Sequence, residues 1–437
     1  MSYDPLQPDA YAEHLGDVNR SKQVVLSEDV RNANGVLIAR KGQQVSPDTV
    51  QKIIQFKLVK PLEESVDIDD GLTPDKIVEN LRTAFQDENS RHMHERYQLG
   101  AEVRRGLKLL ERYPILKQKL TVLAMQMPHE YGKSLMTAWY GLLIARKLGL
   151  SATDRDELFL AALMHDIGML HIDRAILAKT DQLTPEEWRV VQSHVVIGSV
   201  IVRQIDKIPQ DVPRAILEHH EIADGTGYLS GRHGDDLGLP GQIVGVADAM
   251  CALLLKWQGQ NRSPRDLLPV LRVNSYVYHS DVCAAFIQVL QELKYSETAN
   301  VADDGIGALC ASVLRDRDAY QAYATHLAEL IEGLPPASLE RLSVKSVFLV
   351  YKHLTRLLRS SGVLESGYTA WLDQVASNQQ RKQYRDVEDT RLMLDEVRFQ
   401  FTKLTRLLQA VAQDKNAMTA QEHHAFLERL NKLPSLP

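Results

Sequence analysis

A chain of 437 residues with 44% hydrophobic and 25% charged residues fits a soluble globular protein of roughly two to four ordinary domains. Its formal net charge of -6 counts against a nucleic-acid polymer as partner, since such binders neutralise many phosphates. It leaves small anionic ligands open, because a metal site carries its own positive charge. Three scattered cysteines, Cys251, Cys283 and Cys310, lack any CxxC spacing and point to free thiols in a reducing compartment. No basic and apolar leader opens the chain, and no uncharged apolar run reaches the roughly 18 residues of a membrane helix. A cytoplasmic location without a membrane partner is expected.

In chain order, residues 1–20 are polar and read as a flexible N-terminus. Residues 21–64 read as a small β-rich module. Val24-Val25-Leu26 is β-branched, and Asn34-Gly35 between Val30 and Val36-Leu37-Ile38 is a hairpin signal. Ser46-Pro47 opens a short helix, and Phe56 to Pro61 is expected as a closing strand. Glu63 to Asp75 is acidic and reads as a linker, so 65–124 is taken as linker and connecting helices. Ile77, Leu81, Ala84 and Phe85 share one helical face, and Leu107 to Leu120 supplies another apolar series.

A helix through Leu135, Trp139, Leu142 and Leu143 stops at Gly149. A compact apolar helix runs from Leu158 to Ile167 and carries His165-Asp166 near its end. Thr184 and Glu187 form a capping box, and His194 is expected late in that helix. Residues 296–437 read as amphipathic helices over Leu327–Ile331, Val347–Leu358 and Leu392–Leu408, broken at Gly333 to Pro336 and at Ser360 to Gly362. The chain is therefore expected to be mainly α, with a small β-rich N-terminal module and a helical C-terminal region.

The chemistry concentrates between Met164 and Met250. His165-Asp166 follows Leu160 to Met164, His219-His220-Glu221 follows Ala215-Ile216-Leu217, and Asp248 follows Ile243 to Ala247. Ionisable groups in apolar runs are costly to bury unless paired, and a divalent metal satisfies them. A lone histidine is usually a satisfied core or surface residue, which is the reading kept for His14, His92, His94, His326, His353, His423 and His424. Three such groups within ninety residues, without cysteine, suggest an open hydrolytic metal centre. Directly after them, Asp224-Gly225-Thr226-Gly227-Tyr228 is a polar glycine loop suited to shaping a site.

These residues closely resemble the HD-GYP branch of the HD phosphohydrolases, bacterial enzymes that hydrolyse cyclic dimeric GMP. His165-Asp166, His194, His219-His220-Glu221, the loop from Asp224 to Leu229, and Asp248 carry the likeness, which covers roughly 125–295. The resemblance implies an all-helical HD-type domain with two divalent metals, iron or manganese, one or three being the alternatives. It further implies that Asp166 bridges metals, that His194, His219 and His220 complete one site, and that His165 and Asp248 serve the other. A metal-bridging hydroxide would attack phosphorus. Asp224, Gly225, Gly227 and Tyr228 would line the substrate.

Several positions depart from the family pattern. Lys133 stands where the first metal-ligand histidine belongs, and His129 lies one helical turn earlier, where it could reach the metals. Met169 replaces a lysine, Leu229 a proline, and Trp257 and Gln260 the usual phosphate-gripping basic residues, for which Lys256 and Arg262 are nearby substitutes. Asp166 and Lys133 are the candidate catalytic residues, with Lys133 supplying charge beside the substrate phosphate. The intact set Asp166, His194, His219 and His220 favours catalysis. The departures favour the alternative, a degenerate non-catalytic domain that senses a cyclic dinucleotide or a partner protein. A hydrolase of another phosphate ester is a third reading. Partner proteins are expected at 21–64 or 296–437, and a homodimer is compatible with the helical make-up.

Overall fold

In the computed structural model, which describes residues 3–293, 298–333, 342–378, 380–413 and 420–436, helices dominate and strands are few. The fold is mainly α, with a small strand-bearing module near the N-terminus. The chain divides into two units, the first made of residues 1–221, 228–230 and 236–256, the second of 222–227, 231–235 and 257–437.

The first unit opens earlier than the polar composition suggests. Asp9 accepts the Tyr11 backbone N–H and starts α1 (Ala10–Val18), which buries Tyr11, Leu15 and Val18. Strand β1 (Val24–Leu26) pairs antiparallel with β4 (Val66–Ile68), and β2 (Val30–Arg31) with β3 (Leu37–Ala39). Gly35 turns the second pair at φ +80. Ser46 caps α2 (Pro47–Ile53), as its position before proline predicts. The closing strand is not Phe56–Pro61. Phe56 and Val59 are exposed there and only Leu58 is buried, so that stretch makes one isolated bridge to Asn32. Nor is the acidic stretch a free linker: Glu63 is buried in a short 3-10 turn (Leu62–Ser65) and its Oε1 meets Lys119 Nζ at 3.1 Å.

The helices α3 (Pro74–Ala84), α4 (Glu88–Arg96), α5 (Leu99–Leu110) and α6 (Pro114–Gln126) follow. Ile77, Leu81 and Phe85 are buried as the periodicity requires, whereas Ala84 faces solvent. The long α7 (Pro128–Lys147) starts on a proline and ends in a Schellman turn, where Leu150 N–H reaches Ala145 O and Gly149 takes φ +74. The Ser151–Asp154 capping box starts α8 (Ala152–Met164), whose residues Leu158 to Met164 are all buried against α5, α7 and α12. Burying each large apolar side chain stabilises by about 1.5–3 kcal/mol.

A 3-10 turn (Ile167–His171), α9 (Arg174–Leu177), α10 (Pro185–Gln192), α11 (His194–Arg203), α12 (Asp211–Glu218) and α13 (Leu239–Lys256) complete the unit. His194 opens α11 instead of closing α10. The Ser193 hydroxyl donates to Val190 O at 2.6 Å, a local bond that competes with helix continuation. Among the described residues, α13 is the one helix long and apolar enough to cross a membrane, and 56% of it is buried inside the fold.

The second unit is helical: α14 (Leu267–Asn274), α15 (Ser280–Gln291), α16 (Ile306–Glu332), α17 (Leu342–Ser360), α18 (Ser366–Asn378), α19 (Arg381–Gln413) and α20 (Ala420–Leu430). Leu327, Leu330, Val347, Leu354, Phe401 and Leu408 help build its core, matching the three amphipathic stretches read from sequence, and Tyr320 and Val387 join them from outside those stretches. Gly333 ends α16, while Leu334 to Pro336 fall outside the described residues.

Candidate metal centre

Helix ends deliver the centre. His165 is the C-cap of α8, Asp166 follows it, His194 begins α11, His219 is the C-cap of α12, and Asp248 lies in the middle of α13. Three imidazoles are oriented by the same local device. His165 Nδ1–H donates to Ala162 O at 2.8 Å, His194 Nδ1–H to Val191 O at 2.8 Å, and His219 Nδ1–H to Ile216 O at 2.7 Å. A carbonyl can only accept, so the proton sits on Nδ1 and Nε2 is turned inward. The ligand atoms of Asp166, His194, His219 and His220 lie within 4.8 Å of one another, as do those of His165, His219 and Asp248.

The two groups are satisfied differently. In the first, Asp166 Oδ1 lies 3.4 Å from His194 Nε2 and 3.9 Å from His219 Nε2, and both nitrogens are buried without a hydrogen-bond partner. Orphaned lone pairs of this kind are expensive unless something electrophilic takes them. In the second, Lys133 Nζ lies 2.8 Å from both Asp166 Oδ2 and Asp248 Oδ1, and His165 Nε2 lies 3.1 Å from the same two oxygens.

Titration follows the geometry. Burial pushes His165 down, but Asp166 and Asp248 outweigh it and push it up to about 10. The same carboxylates raise Lys133 against its burial. Burial would raise Asp166 and Asp248, yet His165 and Lys133 hold both below the usual carboxylate range. Burial lowers His194 and His219, and burial with the neighbouring His194 pushes His220 down to about 3. His194, His219 and His220 are thus neutral donors at physiological pH, the form a metal needs.

Residues 114–281 match the HD domain family. This segment is an HD domain. The HD domain family is metal-dependent, and the buried His/Asp groups fit that property. Among its curated relatives, the 3′3′-cGAMP-specific phosphodiesterase 3 of Vibrio cholerae is 36% identical over 162 residues, 37% of this chain and 35% of that protein. The cyclic di-GMP phosphodiesterase of Thermotoga maritima is 32% identical over 158 residues, 36% of this chain and 43% of that protein. The match thus spans less than half the length of either relative.

The remaining sequence-named residues of the HD domain fall differently. His129 is 68% exposed, with Nδ1 facing Glu130 at 3.6 Å, and it does not join the centre. Lying four residues before Lys133 on α7 displaces it about 6 Å along the axis, toward the helix start. Lys256 is exposed at the end of α13, eight residues or about 12 Å along the axis beyond Asp248. Tyr228 stacks on His220, with ring centroids 4.7 Å apart and an interplanar angle of 27°, and Trp188 meets its edge.

Asp224, Gly225, Gly227 and Arg262 belong to the second unit. There Asp224 Oδ1 accepts the Thr226 N–H at 2.9 Å, and Arg262 lies 3.7 Å from Asp266 and over the Trp257 ring. Gly225 has φ +76, and a Cβ there would meet the His233 ring at 2.6 Å.

Sequence reasoning missed Gly168 and Gly245. A Cβ on Gly168 would lie 2.0 Å from His194 O, and one on Gly245 would lie 2.3 Å from His219 O. Both glycines let two ligand-bearing segments touch backbone to backbone. Their only sequence signal was a glycine close to a candidate ligand, Asp166 in one case and Asp248 in the other. Also missed was a buried network next to the HD turn. Lys119 Nζ reaches His171 Nε2 at 2.9 Å and sits 3.3 Å over the Tyr11 ring, while His171 Nδ1 meets Asp9 Oδ2 at 2.7 Å.

Proposed function

We propose that this chain is a metal-dependent phosphodiesterase that opens a cyclic dinucleotide, cyclic dimeric GMP or the related 3′3′-cGAMP. The observation that carries the reading is the set of buried Asp166, His194 and His219 with half-buried His220, two imidazole lone pairs being left unpartnered. The names of the relatives support the substrate class. Iron or manganese would be held by Asp166 and by the imidazoles of His194, His219 and His220. When bound, it supplies Lewis acidity toward a phosphoryl oxygen and a lowered pKa for attacking water.

The chain's own residues orient that chemistry. The carbonyls of Val191 and Ile216 lock two ligand rings, and Asp166 offers one oxygen to each half of the centre. Tyr228, over His220, is positioned to take a nucleobase by stacking. Asp224, Gly225 and Gly227, with Lys256 and Arg262, are proposed to contact substrate. Partner proteins would act through 21–64 or the C-terminal helices.

The test is a chromatographic product assay with protein loaded anaerobically with Fe²⁺ or Mn²⁺, run on both dinucleotides beside Asp166→Ala. Linear dinucleotide or mononucleotide from the wild type alone is expected. Binding without product, from folded and metal-loaded protein, would leave the sensor reading, which the ammonium of Lys133 between Asp166 and Asp248 favours.

A further inference from the structure

The two candidate ligand groups cannot both be filled as they stand. They share His219, whose single free lone pair serves one ion at a time. The second group also draws on Asp248 and His165, and these are already spent. Asp248 Oδ1 accepts from Lys133 Nζ at 2.8 Å and lies 3.1 Å from His165 Nε2. Lys133 is no surface lysine in transit: its side chain is 15% exposed, and its ammonium spans two carboxylates at equal distance. It approaches Asp166 through Oδ2, which leaves Oδ1 facing His194 and His219.

We infer that Lys133 is a resident cation standing in for a second metal, so that the centre takes a single divalent ion on Asp166, His194, His219 and His220. The inference rests on the phosphodiesterase reading only for its use, not for its test. Charge supports it. Asp166 and Asp248 already face the Lys133 ammonium and the His165 imidazole, so one divalent ion is enough to make the centre net positive. A second ion would add two more positive charges beside that ammonium in a buried space, where repulsion is poorly screened. An ammonium has donors but no lone pair, so it can hold the carboxylates apart yet cannot ligate. A histidine at this position would offer an imidazole to the second group in place of the ammonium.

The experiment is metal counting on the full chain, reconstituted anaerobically with Mn²⁺, freed of loose ion and analysed by mass spectrometry. Wild type is expected to retain one ion per chain. His194→Ala is expected to lose it, and Lys133→His to double it. Because the Lys133 variant could fold poorly, the wild type is also examined by electron paramagnetic resonance, where an isolated Mn²⁺ signal is expected. Two ions per wild-type chain, a spin-coupled pair, or no retained ion would overturn the inference. Neither readout depends on turnover: a protein with one ion and no product fails as a phosphodiesterase while the Lys133 assignment stands.

Discussion

Lys119 has no solvent exposure at all, and burial lowers its pKa against the pull of Glu63. Its ammonium is held by Glu63 at 3.1 Å, His171 at 2.9 Å and the face of Tyr11. A buried charge tolerates this only while every partner is present. Lys119→Met would leave Glu63 buried and uncompensated, so a loss of about 3–5 kcal/mol is expected, read as a shift in the urea midpoint. The residue scale also shows the limits of reading letters. Glu63 looked like part of an acidic linker, and Lys119 and His171 drew no notice, because nothing local marks three groups as neighbours when they lie 56 and 52 positions apart. His165 and His219 were legible as candidates since each follows an apolar run, and His194 through the family resemblance. That each donates Nδ1–H to a carbonyl three residues back needed the helix end itself.

At the scale of elements, the centre depends on how closely two pairs of segments approach. Gly168 brings the HD turn against the first turn of α11, and Gly245 brings α13 against the end of α12. A methyl group on Gly168 meets a backbone carbonyl, which no rotamer change can relieve. Gly168→Ala is therefore expected to cost at least the roughly 1–3 kcal/mol of an overpacked core and to weaken metal retention, because Asp166 and His194 would be pushed apart. Gly132, on α7, is the control: a Cβ there meets nothing within 4 Å. Gly132→Ala should be neutral or stabilising by roughly 0.5–1 kcal/mol. Thermal melts and metal content of the two variants check both statements. Helix starts were among the more legible elements, since Ser46 and Thr184 cap where their side chains predict. The boundary before His194 was not, because the Ser193 side chain and not a breaker residue ends α10.

For the molecule as a whole, stability should follow the carboxylates of the first unit. Burial alone would raise Asp9 and Glu63, but His171 beside Asp9 and Lys119 beside Glu63 outweigh it and hold both below their ordinary values of 3.8 and 4.5. Folded values that are depressed give stability that is complete above the unfolded pKa and lost as pH falls through the folded one. The melting temperature is expected to hold from neutral pH down to about 4.5, then to drop as the pH falls further. A melt that began to fall near pH 6 would point to histidine titration instead. The same series on Lys119→Met should show a shallower acid limb, since the charge that depresses Glu63 is gone.

The sequence by itself determined the helical class, the capped starts at Ser46 and Thr184 and the second unit's amphipathic helices, and it named candidate metal-ligand histidines and aspartates. These follow from periodicity, local capping chemistry and the cost of placing ionisable groups in apolar runs, all of which act within a few residues. Tertiary structure alone decided that His129 stays in solvent, that α1 is docked, that β4 and not Phe56–Pro61 pairs with β1, and that Lys133 lies between Asp166 and Asp248. Each of those outcomes turns on contacts between segments distant in the chain, where packing and charge compensation, not local pattern, set the result.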